Sequence, residues 1–208
     1  MTAPSLMTMA HAERSDLADF LATLAPQDWQ APSHCSKWTV KDVVAHVVSY
    51  EELGPLGLVK RFAKGWVVRA NQVGVDEFSV LSAPELLAFL RDHFQPRGLT
   101  AGFAGMIALV DGTIHHQDIR RALGRPRRVP RDRLERVLQL VPGNPRLGAG
   151  RRIRGLRLRA TDVDWVHGDG PEVTGPGEAL LMTMSGRRAA LADLTGPGRA
   201  TLAARLPE

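Results

Sequence analysis

The sequence predicts a mainly α-helical protein, a helical bundle followed by a small α+β unit. Three observations carry this. Apolar residues recur at helical spacing over the first two thirds of the chain, capping signatures open two of those runs, and past residue 145 the pattern changes to alternation of apolar and polar residues. A chain of 208 residues is long enough to bury one substantial core and to carry a smaller appendage.

Leu17, Phe20, Leu21 and Leu24, interleaved with Glu13, Asp16 and Asp19, predict an amphipathic first helix that ends before Pro26. Trp29 and Pro32 mark a loop. Thr39 then stands three residues ahead of Asp42, an approximate capping box, and Val40, Val43, Val44, Val47 and Val48 follow. A valine-rich run also suits a strand, but the cap and the helical phase of the apolar positions decide for a helix. Gly54, Pro55 and Gly57 break the pattern. Leu58, Phe62, Trp66 and Val67, with Lys60, Arg61, Lys64 and Arg69 around them, predict a further helical stretch.

Ser82-Ala83-Pro84-Glu85 is a complete helix start, with Ser as cap, Pro in the first turn and Glu closing the box. Leu86, Leu87, Phe89, Leu90 and Phe94 line the helix that follows. A long helix is predicted over 100–123, with Phe103, Ile107, Val110 and Ile114 as its core stripe and Gly124 and Pro126 as its stop. A shorter one over 132–140 precedes Pro142-Gly143-Asn144-Pro145, read as the boundary between a domain of residues 1–145 and one of 146–208. Beyond it, Leu156, Leu158 and Ala160 alternate with Arg157, Arg159 and Thr161, a half-buried strand. Residues 162–166 suggest a second strand, Asp169-Gly170 a hairpin-type turn, 172–174 a third extended piece, and 178–185 a short helix stopped by Gly186.

Composition narrows the function. No apolar run approaches the ~20 residues of a membrane span, and residues 1–10 lack the pattern of a secretory signal, so the chain is expected in the cytoplasm. The single cysteine, Cys35, forms no internal disulfide and cannot make a Cys-rich metal site. Lys and Arg outnumber Asp and Glu by 27 to 22, a modest excess of scattered arginines that does not favour nucleic-acid binding.

Three residues form a candidate metal constellation. His46 shares the helical phase of Val43, Val47 and Tyr50 and so faces the core. Asp111 and His115 lie four apart, on one face of their helix, and Asp118 extends that face. Bundles build metal sites from inward carboxylate and imidazole ligands on facing helices. Nitrogen and oxygen ligands without thiolate suit a divalent metal, zinc foremost, with nickel, manganese and iron as alternatives. Three protein ligands leave a position open. The same residues also fit a surface ion pair and a core histidine. His116 is expected to point away from this face into solvent, and His11, His34, His93 and His167 are read as structural.

Two segments together resemble a known family. Residues 32–46, from Pro32 through His34-Cys35-Ser36-Lys37-Trp38-Thr39-Val40-Lys41-Asp42 to His46, resemble a metal-binding segment of the mycothiol-dependent maleylpyruvate isomerases, within the DinB-like bundle superfamily. Residues 111–124 resemble its second metal segment, an acid and a histidine four apart followed by Asp118 and a Leu123-Gly124 stop. The tail resembles the family's small α+β part. The resemblance implies a DinB-like four-helix bundle with a metal held by His46, Asp111 and His115. It also implies mycothiol as cosubstrate and isomerisation or S-transfer on a small electrophilic substrate, with Arg120 and Arg121 as candidates for anionic groups or as helix-end charges. The acid here is Asp where the family more often has Glu, which leaves Asp111 and Asp118 as alternative ligands. The reading from a different class is a catalytically inactive bundle that serves as a metal, small-ligand or protein interaction module.

Overall fold

The computed structural model describes residues 4–35 and 37–207, without the side chains of residues 65–68, so the predicted core positions Trp66 and Val67 lie outside the described residues. The chain forms two compact units, Met1–Pro126 and Arg127–Glu208.

The first unit is helical. Its elements are α1 (Leu6–Leu21), α2 (Pro26–Trp29), α3 (Val40–Val48), α4 (Pro55–Phe78), α5 (Ala83–Asp92) and α6 (Met106–Ala122). Helix α1 packs on α5 and α6, and α3 packs on the same two, which closes a four-helix bundle; α4 lies against α3. The valine run is helical because Thr39 caps it. Its hydroxyl accepts from Asp42 N at 3.2 Å, and the Asp42 carboxylate accepts from Thr39 N at 2.9 Å. Val40, Val43, Val44, Val47 and Val48 are all buried along one broad face of α3, and Ala45 and His46, also buried, widen it, because this helix sits inside the bundle rather than on its surface. They join Leu17, Phe20, Leu21, Leu86, Leu90 and Ile119 in one core. Pro55 occupies the first turn of α4, where a missing N–H costs nothing, so the break read at residues 54–57 is a helix start and the helix runs on to Phe78.

The stretch predicted as one helix over 100–123 is two pieces. A 3-10 turn at Gly98–Ala101 is followed by Phe103, Ala104 and Gly105 in left-handed backbone, and α6 begins only at Met106. A side chain at Gly105 would meet the Met7 backbone at 2.9 Å, so glycine is what lets α6 start this close to α1. Phe103 is accordingly 76% exposed and not part of the core stripe, which runs through Ala108, Leu109, Val110, Ile114 and Ile119.

The second unit contains α7 (Arg131–Leu140), α8 (Ala149–Ile153), β1 (Arg157–Ala160), β2 (Val166–His167), β3 (Glu172–Gly175), α9 (Gly177–Met184) and α10 (Arg199–Ala204). The second unit begins ahead of the boundary expected after residue 145, because α7 packs on α9. Leu134 and Leu138 press so closely on Gly177 that a Cβ there would sit 3.2 and 3.0 Å from their methyl groups. The sheet order is β2-β1-β3, with β2 antiparallel and β3 parallel to β1. The turn at Asp169-Gly170 therefore joins the two edges of the sheet and is no hairpin. Gly170, at φ +122°, passes over the Gly155 carbonyl, where a Cβ would come within 2.3 Å.

Candidate metal centre

Helix α3 delivers His46 and helix α6 delivers Asp111 and His115 to one point. His46 Nε2 and His115 Nε2 both approach Asp111 Oδ1, at 3.6 and 3.4 Å. The two imidazole centroids are 4.8 Å apart and the rings are nearly perpendicular. Donor atoms around a tetrahedral zinc with ~2.0–2.1 Å bonds stand about 3.3 Å from one another. Both carboxylate–imidazole separations are close to that edge, so the donor set fits a small divalent cation. The shorter Asp111 reaches both rings without the extra methylene of a glutamate. Both histidines are buried while the Asp111 side chain is 40% exposed, so solvent reaches the cluster from the Asp111 side.

Asp118, the alternative ligand, lies on the other side of His115. Its Oδ2 is 3.0 Å from His115 Nδ1 and its side chain is fully buried. A carboxylate there fixes the ring so that Nε2 faces the cluster. Trp38 and Tyr50, to which the sequence assigned no role, flank His46 with centroids at 4.9 and 6.2 Å. Trp38 Nε1 donates to Gln72 Oε1 at 2.9 Å, and the Tyr50 hydroxyl lies 2.8 Å from Asn71 Oδ1, so α4 holds both rings. Trp38 stands within the motif that carries the family resemblance, which was the available signal for it.

His116 is completely buried, contrary to the expectation of a solvent position, because α1 covers the face of α6 opposite to α3. Arg120 Nε–H donates to its Nε2 at 2.8 Å, so the ring proton sits on Nδ1, 2.9 Å from Glu13 Oε1. The Arg120 guanidinium lies 3.8 Å over the Phe20 ring. Arg120 is thus engaged by the bundle itself.

Charge at the cluster is strongly coupled. Burial pushes the Asp111 carboxyl up, but the adjoining His115 and His46 outweigh it and hold the group well below its usual range. Burial likewise pulls His115 down, and Asp111 and Asp118 outweigh it, raising the ring from 6.5 to about 9. In the metal-free protein His115 is therefore an imidazolium that spans two carboxylates. Because the folded pKa is the higher one, this stabilisation is fully present below the unfolded value near 6.5 and is lost as pH rises through about 9. Denaturant midpoints of the metal-free protein are expected to fall between these pH values, and His115→Gln to remove that slope. An unchanged slope in the variant would show that another group titrates.

Residues 10–97 match the family described as the mycothiol maleylpyruvate isomerase N-terminal domain, a match that includes His46 and ends before Asp111. A search of curated protein sequences found no match. Among solved structures, the chain is similar to the crystal structure of a mycothiol-dependent maleylpyruvate isomerase, with a TM-score of 0.59 and 17% identity over 95% of this chain and 96% of that one. It is similar also to a histidine-to-alanine mutant of such an enzyme, with a TM-score of 0.50 at the same identity and coverage. At this identity the structures establish a shared fold. Residues 10–97 thus resemble the mycothiol maleylpyruvate isomerase N-terminal domain, within a fold that the chain shares over nearly its whole length with the solved enzyme.

Proposed function

We propose that this chain is a metal- and thiol-dependent isomerase or S-transferase, in which His46, Asp111 and His115 hold a divalent cation, zinc foremost. In this reading mycothiol is the cosubstrate that attacks a small electrophilic substrate. The observation that carries it is the convergence of two imidazole Nε2 atoms, from different helices, on one carboxylate oxygen at 3.6 and 3.4 Å. Three protein donors leave a fourth position for an incoming group. A cation held there supplies the positive charge that favours the deprotonated form of a thiol.

The chain's own residues do the rest. Asp111 remains ionised beside the imidazoles and lends the cluster its negative charge. Asp118 holds the His115 ring in register, and cation loading expels the His115 proton to solvent, so affinity rises with pH. Trp38 and Tyr50 screen the His46 side from water, while the exposed Asp111 side admits the reactants. Addition of the thiol sulfur to an electrophilic carbon, followed by its expulsion, returns the thiol and isomerises the substrate. Retention of the new C–S bond gives transfer.

The test is metal content per chain after tag-free purification, for the native protein beside His46→Ala. Near-stoichiometric metal in the native protein and its loss in the variant are expected. A metal-dependent reaction of mycothiol with an electrophile is expected to follow the same pattern. No metal after reconstitution with zinc, nickel or manganese would overturn the proposal in favour of an interaction module.

A further inference from the structure

We infer that Cys35, His115 and Asp118 form a second cation site, distinct in chemistry from the first, that takes a soft, thiophilic metal ion. One donor atom from each of the three, a thiol sulfur, a ring nitrogen and a carboxylate oxygen, lies within 4.8 Å of the other two. Among the described residues, the two triads of potential metal ligands are this one and His46, Asp111 and His115, so His115 belongs to both. The inference uses His115 but does not depend on the function proposed above.

Backbone bonds account for where the sulfur sits. His34 N donates to the Asp118 carbonyl at 3.2 Å, which pins the loop ahead of α3 onto the last turns of α6. Ser33 Oγ accepts from Cys35 N at 3.1 Å, and Trp38 N donates to the Cys35 carbonyl at 3.0 Å, closing a tight turn around the cysteine. These bonds hold the Cys35 backbone beside the end of α6 that carries His115 and Asp118. The thiol is half-buried, within reach of a small ion.

Donor chemistry divides the cations between the two triads. His46, Asp111 and His115 offer two nitrogens and an oxygen, which suit borderline and hard divalent ions. The Cys35 triad adds a sulfur, which favours soft ions such as cadmium and releases the thiol proton to solvent on binding. Asp118 would exchange its hydrogen bond with His115 for the cation. Because the two triads share one imidazole, a soft ion at its Asp118 edge takes that carboxylate from Nδ1 and withdraws electron density from Nε2, the nitrogen that faces His46 and Asp111. The expected consequence is that a thiophilic ion competes with the resident cation without binding where it binds.

The experiment is cadmium titration of the full chain stripped of metal, read by the ultraviolet sulfur-to-cadmium charge-transfer band, for native protein, Cys35→Ser, His46→Ala and His115→Ala. Circular dichroism verifies that each variant is folded. The band is expected to saturate at one cadmium per chain in the native protein and in His46→Ala, and to be absent in Cys35→Ser. In His115→Ala, which removes one of the three donors, the affinity is expected to drop by at least about tenfold, the least that loss of even an outer-shell partner costs. No band in the native protein would overturn the site. A band of unchanged affinity in His115→Ala would also overturn it, since the thiol alone would then be binding. Failure of the first centre shows separately, as unaltered zinc content in His46→Ala.

Discussion

His115→Ala is expected to abolish retention of a divalent metal, to below a tenth of an equivalent, and Asp118→Asn to weaken metal affinity by about 10–100-fold while the fold is kept. The two residues act through opposite edges of one ring. His115 Nε2 faces Asp111 and His46, and removing it leaves only two donors, one on each helix, too few to hold the ion. Asp118 touches only Nδ1 of that ring, at 3.0 Å. An asparagine there still accepts a hydrogen bond, so the ring stays oriented, but the negative charge that makes its far nitrogen a better donor is gone. Metal binding measured by competition with a chromophoric chelator separates the two outcomes. Full metal retention in His115→Ala would eliminate the ligand set. Equal affinity in Asp118→Asn and native protein would show that Asp118 serves the bundle rather than the centre.

The second large effect is on stability. Glu51 is fully buried and carries three bonds: from Arg14 at 2.5 Å, from Thr100 Oγ1 at 2.6 Å and from Arg97 N at 2.8 Å. Arg14, itself buried, also donates to the His93 carbonyl at 2.6 Å. Glu51 thus ties α1 and the end of α3 to the turn that leads into α6. Removing one member of a buried pair leaves the other charge in a poorly solvated place, which costs about 3–5 kcal/mol. Glu51→Ala should lower the unfolding free energy of the helical unit by that amount in denaturant titration. An apolar replacement of both partners, Arg14→Met with Glu51→Leu, should cost clearly less, because no isolated charge remains. A loss under about 1 kcal/mol for Glu51→Ala would mean that water reaches Arg14 in the native state.

Much of the bundle was legible from local sequence because its signals are local. The Thr39–Asp42 and Ser82–Glu85 boxes lie within four residues, and both form as read. The strand at residues 157–160 also follows its alternation. Readings that needed a partner fared differently. The helix predicted over 100–123 loses its start because close approach to Met7, 98 residues earlier, selects left-handed backbone at Phe103, Ala104 and Gly105. The Asp169-Gly170 turn has hairpin chemistry, but β3 pairs with the parallel side of β1 instead of with β2.

The candidate centre shows the same division. Sequence alone determined that Asp111 and His115 share a face, since four residues make about one helical turn, and that His46 lies on the apolar side of α3. Only tertiary structure decided that these two faces meet, that Asp118 goes to Nδ1, that Cys35 reaches the same histidine, and that His116 is buried against Glu13. The reason is that α6 is covered by α3 on one side and by α1 on the other, so its polar residues are not a solvent face. Helical periodicity reports which residues point the same way. It carries no information on which helix stands opposite, and a buried polar side chain becomes intelligible only when the chain brings its partner to it.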